Sequence, residues 1–412
     1  MTRRQAQGRP LRVAMIGYGF MGAAHSVGWR QAPHVFDLPD DVEMAVLVGR
    51  HPQAVADAAA HWGWAESATD WREVIARDDI DIVDIVTPGD AHAEIAIAAL
   101  DAGKHVLCEK PLANTVAEAE AMADAASRAR ERGIRSMVGF TYRRAPAVTL
   151  LRDLIAQGRI GRVQQVRAAY RQDWLVDPAV PLGWRLQKEH AGSGALGDIG
   201  AHIVDMTQFV TGQHVRSVSG TVETIVARRP LQASGSGLAG TAAEGYGDVT
   251  VDDAALFTAR LDDGALVSFE ATRFATGRKN ALTIEVSGDR GALAWDLERL
   301  NELQFYDRTA PEAVQGFATI LVTEPVHPYV AAWWPAGHML GYEHGFTHQV
   351  VDLVTAIHDG ADPRPSFADG LTVQRVLAAV EESAAAGSAW TAVARGDDED
   401  AGQVRQPVPA HA

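Results

Sequence analysis

The chain contains little cysteine, is short of positive charge and has no long apolar run. Its 412 residues include one cysteine, Cys108, which excludes an internal disulfide framework and suits a reducing cytoplasm. Lys and Arg total 37 against 53 Asp and Glu, which gives a net charge of -16. Nucleic acids and anionic membranes are bound by clustered Lys and Arg, so we expect neither as a partner. No stretch reaches the roughly 20 apolar residues that span a bilayer, and we therefore predict a cytoplasmic protein.

The two ends of the chain differ in composition from its middle. Residues 1–10 contain the pair Arg3 and Arg4, but no apolar segment follows them. We interpret them as a loose tail rather than as a twin-arginine export signal. The acidic residues 395–412 are predicted to be disordered. The length that remains suits two domains.

Residues 11–142 alternate strands with helices, which predicts a doubly wound, mostly parallel α/β sheet. The first apolar strand ends directly before Gly17, Gly19 and Gly22, and a helix follows. In that setting the glycine spacing indicates a dinucleotide-binding Rossmann domain, because the glycines allow a tight turn and the helix offers free N–H groups to a pyrophosphate. A purely structural glycine turn is disfavoured, since the strand–helix alternation continues. The expected cofactor is NAD or NADP.

The end of the second strand bears on the choice between these cofactors. NAD-binding domains usually carry Asp or Glu there to hold the ribose 2′-hydroxyl, but this chain has Gly49 followed by Arg50. Arg50 suits a 2′-phosphate or the adenine ring, and it is equally explained as an exposed arginine at a strand end. NAD and NADP both stay open.

A lysine is predicted at the carboxyl end of a buried strand. The apolar run 106–108 has the pattern of such a strand, and Pro111 ends it because proline cannot continue sheet pairing. Pro111 also forces Lys110 into an extended conformation. Open α/β sheets bind their ligands at this edge, so Lys110 is a candidate acid or base. The alternative is an ordinary solvated lysine.

Residues 143–394 follow a different pattern. Apolar and polar residues alternate with a period of two over 255–261, 267–272 and 282–287, which predicts antiparallel strands. Together with three helical segments, this predicts an α+β domain with an open, mostly antiparallel sheet and helices on one face. We expect the other face to be solvated or to join copies of the chain into a homodimer or homotetramer. The Gly-, Ser- and Ala-rich residues 232–247 are predicted to form a mobile loop.

One predicted helix, at 195–210, carries a carboxylate and an imidazole. Asp198 and His202 are four residues apart and share a helical face. Gly197 and Gly200 leave room for close approach at a cost in helix stability, which indicates a functional reason. An exposed ion pair is one alternative. A metal site with His190 as a third ligand is another, but nothing else in the sequence supports it, so no metal is predicted.

Lys110, Asp198 and His202 together supply the groups that oxidise a secondary alcohol. One removes the hydroxyl proton while hydride leaves for the nicotinamide, one positions the hydroxyl, and the carboxylate holds a neighbour in place. No metal is required.

Three motifs carry a resemblance to a known family. The glycine loop at 17–22, the tripeptide at 109–111 and the helical segment at 197–202 resemble the Gfo/Idh/MocA family (glucose–fructose oxidoreductase, inositol dehydrogenase, rhizopine catabolism). The likeness runs from residue 11 to about residue 394. It implies a Rossmann domain followed by an open-sheet domain whose sheet forms the oligomer contact. It also implies a cis peptide before Pro111.

The resemblance also implies roles for the candidate residues. It places Lys110, Asp198 and His202 around the reacting alcohol, with His202 as the usual acid or base and Lys110 assisting. A larger set of residues is predicted to lie around the cofactor, because they belong to the glycine loop or follow the carboxyl ends of strands. They are Gly17, Tyr18, Gly19, Phe20, Met21, Gly22, Arg50, Thr87, Pro88, His92, Glu109 and Lys110. His92 is also explained as a residue that starts a helix.

Further segments resemble the branch that acts on anhydrosugars and cyclic polyols, such as levoglucosan and inositol dehydrogenases. They lie at 142–143, 173–175, 183–185 and 277–280. Aromatic faces stack on sugar C–H surfaces and arginine donates to hydroxyls, although each residue alone is equally explained by packing or by an ion pair. The candidate substrate contacts are Arg143, Trp174, Trp184, Arg185, Asp198 and His202.

The predicted function is therefore that of an NAD(P)-dependent oxidoreductase. It would move a hydride between the nicotinamide and a secondary alcohol or ketone of a sugar, anhydrosugar or cyclic polyol. One alternative is an enzyme whose tightly bound cofactor oxidises and then re-reduces the same substrate. The other is a sugar sensor without catalysis, which the presence of Lys110, Asp198 and His202 disfavours.

Overall fold

The computed structural model describes residues 9–236 and 239–395. The tails predicted at 1–10 and 395–412 therefore lie outside the described residues, apart from residues 9, 10 and 395. Within the described ranges, no helix combines the length and apolar character needed to cross a membrane.

The first part of the chain forms a six-stranded parallel sheet with helices on both faces. Its strands are Leu11–Ile16 (β1), Val42–Val48 (β2), Glu66–Ala68 (β3), Ile82–Ile85 (β4), His105–Cys108 (β5) and Ser136–Val138 (β6). Its helices are Phe20–Val35 (α1), Pro52–Trp62 (α2), Trp71–Ile75 (α3), His92–Asp101 (α4) and Val116–Glu131 (α5). The strand order is β3-β2-β1-β4-β5-β6, so the order reverses beside β1. Ligands bind at such a switch point, and the predicted Rossmann fold is confirmed.

The second part is built on a nine-stranded mixed sheet in the order β16-β15-β14-β13-β7-β12-β11-β8-β17. Its strands are Val163–Arg171 (β7), Val215–Glu223 (β8), Ala254–Leu261 (β11), Leu266–Thr272 (β12), Ala281–Gly288 (β13), Gly291–Asp296 (β14), Glu302–Asp307 (β15), Ala318–Leu321 (β16) and Thr391–Ala392 (β17). Arg228–Ser236 (β9) and Ala239–Asp248 (β10) form a separate pair. The helices are Pro146–Ala156 (α6), Lys188–Ala191 (α7), Ala201–Thr211 (α8), His344–Asp359 (α9) and Phe367–Ala385 (α10).

Short turns complete the secondary structure. A π-helical turn, Leu196–Gly200, leads into α8. Single 3₁₀ turns are Gly89–Ala91, Thr141–Arg144, Trp184–Leu186, Leu297–Arg299, Glu312–Val314 and Val330–Ala332.

Among the described residues, helices cover one face of the nine-stranded sheet. The helices α6, α8 and α10 pack against its strands. On the other face, alternate side chains of β11 and β12 are exposed, including Leu256 and Leu266. The prediction of an open, mostly antiparallel sheet with helices on one face is confirmed; the pairing of β7 with β12 is parallel.

The predicted mobile loop at 232–247 is wrong for the described residues, because β9 and β10 pair there as an antiparallel hairpin. Arg229 fastens the base of this hairpin. Its buried guanidinium donates to the backbone oxygens of Asp177, at 2.8 Å, and Leu175, at 2.7 Å. Backbone pairing needs no large side chains, so a segment rich in Gly, Ser and Ala can form strands that its composition does not indicate.

The late helix α9 packs on α1 of the first sheet, far back along the chain. A Cβ added at Gly28 in α1 would lie 2.9 Å from the backbone of Phe346 in α9. Val350, Leu353 and Val354 of α9 share a buried cluster with residues of the parallel sheet. The helix α10 packs on both α5 and β8, and a larger buried cluster contains residues of both sheets, so the two parts of the chain share a core.

Gly28→Ala tests this helix–helix contact. Alanine normally stabilises a helix interior by about 1 kcal/mol relative to glycine. Here the added Cβ would be too close to Phe346, so we expect the substitution to destabilise the protein. The free energy of unfolding, measured by urea denaturation, should fall by about 1–3 kcal/mol. Gly316→Ala is the control, because a Cβ at Gly316 meets nothing within 4 Å. A Gly28→Ala protein as stable as the parent would contradict the packing described for α1 and α9.

Candidate active site

Lys110 and Asp198, which are 88 residues apart, meet where the two sheets adjoin. Lys110 follows β5, and the peptide that joins it to Pro111 is cis, as the family resemblance implies. The Nζ of Lys110 donates to Asp198 Oδ1 at 3.1 Å and to the backbone oxygen of Asp198 at 2.8 Å. The Lys110 side chain is only 13% exposed, so the lysine is held in the site and is not a solvated surface charge.

The first turn of the Asp198 helix is wider than an α-helix. Asp198 lies in the π-helical turn, and His202 lies in the first turn of α8. The Asp252 carboxylate caps this start, because it accepts from the backbone N–H groups of Gly194, at 2.7 Å, and Leu196, at 2.8 Å. π turns are frequent at functional sites. The predicted helix is confirmed, and its π turn is an addition that the sequence spacing does not indicate.

Arg273 is the residue of this cluster that sequence reasoning missed. It follows β12 directly, its side chain is buried, and its guanidinium donates to Asp198 Oδ2 at 2.8 Å. Burial alone would raise the pKa of Asp198, but three neighbouring cations outweigh burial and hold that pKa well below its usual value. They are Lys110, Arg273 and Arg185. Asp198 is therefore a carboxylate throughout the working pH range. A charged residue directly after an alternating strand was the only sequence signal for Arg273.

His202 lies among aromatic rings beside this ion pair. Its ring centroid is 4.7 Å from that of Tyr142, 5.9 Å from that of Tyr170 and 6.0 Å from that of Phe140. Burial and the charge of Lys110 lower the pKa of His202 well below its usual value, against the opposing effect of Asp198. The imidazole is therefore neutral at pH 7 and can accept a proton.

Besides Asp198 and His202, three of the predicted substrate contacts lie at this site, and one does not. Trp174 packs under the Arg273 guanidinium, 5.3 Å from carbon to ring centroid. The guanidinium of Arg185 lies over the ring of Trp184, 4.3 Å from carbon to ring centroid. The positive charge of Arg185 helps to lower the pKa of Asp198. The structure does not bring Arg143 to them. Its buried guanidinium is paired with the carboxylate of Asp205.

The glycine loop after β1 has the shape that a pyrophosphate needs. Gly17 has a φ of 114°, and a Cβ there would lie 2.8 Å from the oxygen of Val86. A Cβ at Gly22 would lie 2.8 Å from the oxygen of Gly17, whereas one at Gly19 would meet nothing within 4 Å. The helix α1 begins after Gly19 without a capping side chain or an acidic residue in its first turn. Its free N–H groups and positive dipole end therefore suit an anion.

The rest of the crevice also fits a dinucleotide. The Oγ1 of Thr87 is buried and has no hydrogen-bond partner among the described residues. The ring of Tyr18 covers Gly49, where an added Cβ would lie 2.0 Å from a ring carbon. Arg50 is exposed, and no carboxylate in the described part of the chain pairs with it.

His92 lies behind this crevice and is almost fully buried. Its two ring nitrogens are each 3.0 Å from a backbone oxygen, one of Pro111 and one of Thr87. Burial lowers the pKa of His92, and a neutral imidazole has one N–H, so the ring donates to only one of these oxygens and packs between the loop that carries Lys110 and the loop after β4. We infer that any effect of His92 on cofactor binding passes through these two loops.

A buried charge cluster lies beneath the glycine loop. His25 of α1 bridges two carboxylates, with Nδ1 2.9 Å from Asp84 and Nε2 3.0 Å from Glu109, and Trp29 donates to Asp84 at 2.7 Å. Burial alone would lower the pKa of His25, but the two carboxylates raise it to about 10. Glu109 thus points into the core next to Lys110. An Asp inside the otherwise apolar β4 was the available sequence signal, since charges are seldom buried without a partner.

The comparisons with known proteins agree with this geometry. Residues 11–140 match the family described as an oxidoreductase family with an NAD-binding Rossmann fold, and residues 148–294 match the GFO/IDH/MocA C-terminal domain. Levoglucosan dehydrogenase from Pseudarthrobacter phenanthrenivorans is 43% identical over 91% of this chain and 96% of its own.

Two solved structures extend these matches. The crystal structure of an oxidoreductase domain protein from Kribbella flavida is 61% identical, with a TM-score of 0.90, over 94% of this chain and 100% of that chain. A levoglucosan dehydrogenase in complex with NADH and levoglucosan is 41% identical, with a TM-score of 0.88, over the same shares of the two chains.

The charged His25 predicts how stability depends on pH. The folded pKa of about 10 lies above the ordinary value of 6.5, so the contribution of His25 is complete below about pH 6.5 and is lost as the pH rises towards 10. We expect the free energy of unfolding to fall over this window, by at most about 1.4 kcal/mol per pH unit for one proton.

The measurement is urea denaturation between about pH 6.5 and pH 10. His25→Gln should be less stable than the parent at neutral pH, and its stability should fall less steeply with pH. His61→Gln, which changes an exposed histidine, should behave as the parent does. Equal pH slopes in the parent and His25→Gln would show that His25 is not the charged bridge described here.

Proposed function

Because the chain belongs to the Gfo/Idh/MocA family of oxidoreductases and carries its NAD-binding Rossmann domain, we propose that it is an NAD(P)-dependent dehydrogenase. Its substrate is a secondary alcohol of an anhydrosugar or a cyclic polyol. The observation that carries this proposal is the neutral His202 beside the Lys110–Asp198 ion pair, at the edge of the sheet where the glycine loop lies.

The residues of the site divide the proton chemistry between them. An ammonium group has three N–H donors, and Asp198 accepts two of those of Lys110, which leaves one for the oxygen of the reacting hydroxyl. His202 then accepts the hydroxyl proton as this oxygen gains negative charge, which Lys110 stabilises. Bound nicotinamide would accept the hydride from the carbinol carbon. In the reverse direction His202 returns the proton.

The walls of the site suit a sugar ring. Trp174 and Trp184 offer aromatic faces, and each lies against an arginine that is tied to Asp198 by a hydrogen bond or by its charge. Aromatic faces pack on C–H surfaces, and the guanidinium of Arg185 can donate to ring hydroxyls. The related levoglucosan dehydrogenase, solved with levoglucosan, favours an anhydrosugar as the first substrate to test.

We also propose that copies of the chain associate through the open face of the nine-stranded sheet, as a homodimer or homotetramer. The exposed Leu256 and Leu266 support this, and so does the absence of covering helices from that face within the described ranges. A cytoplasmic location is proposed as well, in keeping with the free thiol of the buried Cys108.

The first test follows the absorbance of reduced nicotinamide when the protein is mixed with NAD or NADP and a panel of anhydrosugars, inositols and aldoses. We expect turnover with levoglucosan or another cyclic polyol of the panel. Lys110→Met and His202→Gln should each lower kcat by about a hundredfold to ten-thousandfold, the usual range for a lost proton-transfer group. Lys188→Met is the matched control, because Lys188 forms an exposed ion pair with Glu381. Cofactor binding without turnover of any sugar would contradict the proposal and favour internal redox cycling or a sensor.

A second prediction concerns the role of Arg50 in the choice between NAD and NADP. No carboxylate follows β2 to repel a 2′-phosphate, so we expect the enzyme to use NADP as well as NAD. Arg50→Glu should lower kcat/KM for NADP by about tenfold or more, equivalent to about 1.4 kcal/mol, and leave that for NAD within about twofold. Arg72→Glu, at another exposed arginine of the same domain, is the control. An equal loss with both cofactors would contradict a 2′-phosphate contact.

A further inference from the structure

A chain of hydrogen bonds runs along one wall of the candidate site. It passes through Trp174, Gln172, Asn280, Tyr170 and Tyr142. The Nε1 of Trp174 donates to Gln172 Oε1 at 3.0 Å, and the Nε2 of Gln172 donates to Asn280 Oδ1 at 2.8 Å. The Tyr170 hydroxyl donates to the same Asn280 oxygen at 2.7 Å and lies 2.8 Å from the Tyr142 hydroxyl.

The Trp174 end sets the direction of this chain. An indole N–H can only donate, so the carbonyl oxygen of Gln172 must face Trp174. The amide nitrogen of Gln172 then faces Asn280, and this requires Asn280 to present its own carbonyl oxygen. A flipped amide at either position would place two donors against each other, so only this orientation satisfies both amides.

The direction continues through the two phenols. Burial raises the pKa of Tyr142 and that of Tyr170, so each carries its proton at neutral pH. Tyr170 must donate its proton to Asn280, because the Asn280 oxygen can only accept. The Tyr170 oxygen then accepts from Tyr142. Distance alone leaves either phenol as the donor, but the chain assigns the proton of Tyr142 to Tyr170.

Both ends of the chain lie next to the reacting groups. At one end the ring of Tyr142 is 4.7 Å from the imidazole of His202. At the other end Trp174 packs under Arg273, which holds Asp198. Tyr142 keeps part of its surface exposed, so a molecule at His202 can reach it. With its proton committed to Tyr170, the Tyr142 oxygen can only accept a hydrogen bond from such a molecule.

We propose that Tyr142 is a specificity-determining residue that accepts a hydrogen bond from a substrate hydroxyl adjacent to the reacting carbon. Trp174, Gln172 and Asn280 are positioning residues that impose this polarity. The proposal rests on the dehydrogenase function and deepens it. The enzyme should require a free hydroxyl at that position and discriminate against a group of similar size that cannot donate, such as fluorine.

The experiment compares a parent sugar with its deoxyfluoro analogues. The parent is levoglucosan, or whichever sugar of the panel is oxidised, and each analogue replaces one hydroxyl by fluorine. For one non-reacting hydroxyl, the unmodified enzyme should lose about tenfold to a hundredfold in kcat/KM, because the bound analogue covers the Tyr142 oxygen without donating to it. In Tyr142→Phe the same replacement should cost less than about threefold, since there is no acceptor left to satisfy.

Gln172→Glu tests the polarity itself. A carboxylate accepts from Trp174 but cannot donate to Asn280, so the Asn280 amide turns and donates to both neighbours. Tyr170 then donates to Tyr142, whose own proton is released towards the substrate. The preference for hydroxyl over fluorine should fall to within about threefold in this variant, although Tyr142 is intact. Gln172→Met, which has no hydrogen-bonding amide, is the control for packing.

The outcomes distinguish the proposed role of Tyr142 from the proposed dehydrogenase function. A preference for hydroxyl that is large in the unmodified enzyme and small in both Tyr142→Phe and Gln172→Glu supports the polarised chain. An equal ratio of parent to analogue in all three proteins overturns it, even if the variants are slower overall, because damage to the fold lowers both rates together. If the unmodified enzyme oxidises no sugar while it still binds cofactor, the dehydrogenase function fails, and the role of Tyr142 fails with it.

Discussion

The carboxylate of Asp198, held between Lys110 and Arg273, is the interaction on which the rest of the site depends. It joins the loop after β5, the π turn before α8 and the end of β12. Ion pairs with little solvent contact are costly to desolvate, and removal of one partner leaves an uncompensated charge. This pair is favourable because both carboxylate oxygens are hydrogen-bonded to cations. The same arrangement puts the charge of Lys110 next to His202, and burial together with this charge lowers the pKa of the imidazole and keeps it neutral.

A second layer of charge lies beneath the first. Glu109 and Lys110 are adjacent in sequence but serve opposite sides of the loop: Glu109 faces His25 in the core, and Lys110 faces Asp198 in the site. The carboxylate of Asp84, in β4, forms an ion pair with the other side of the His25 ring. The glycine loop sits above this cluster on α1, the helix that carries His25. The glycine loop and the loop that carries Lys110 are therefore fixed to each other by buried ion pairs, and α9 packs on α1 from late in the chain.

The sequence predicted what local patterns encode. The glycine loop, Lys110 before its proline, and the Asp198–His202 pair each lie within a short segment whose spacing shows what the residues can do. Residues whose role depends on distant partners escaped this reasoning. Arg273 becomes part of the site only because β12 ends beside Asp198, 75 residues away in sequence. Arg143 follows Tyr142 directly and has a side chain suited to sugar hydroxyls, yet its guanidinium is hydrogen-bonded to Asp205. The hairpin of β9 and β10 forms through backbone pairing and the buried Arg229, neither of which its Gly- and Ser-rich composition reveals.

The most direct test of the central claim is the protonation state of His202, measured by NMR on protein with ¹⁵N-labelled histidine as the pH is lowered from about 8. The ring nitrogens report neutral imidazole and imidazolium separately, and His202→Gln assigns the signal. A neutral ring at pH 7 that gains its proton only well below the ordinary value of 6.5 is the expected result. A ring that is already charged at pH 7 would contradict the proposal that His202 accepts the hydroxyl proton.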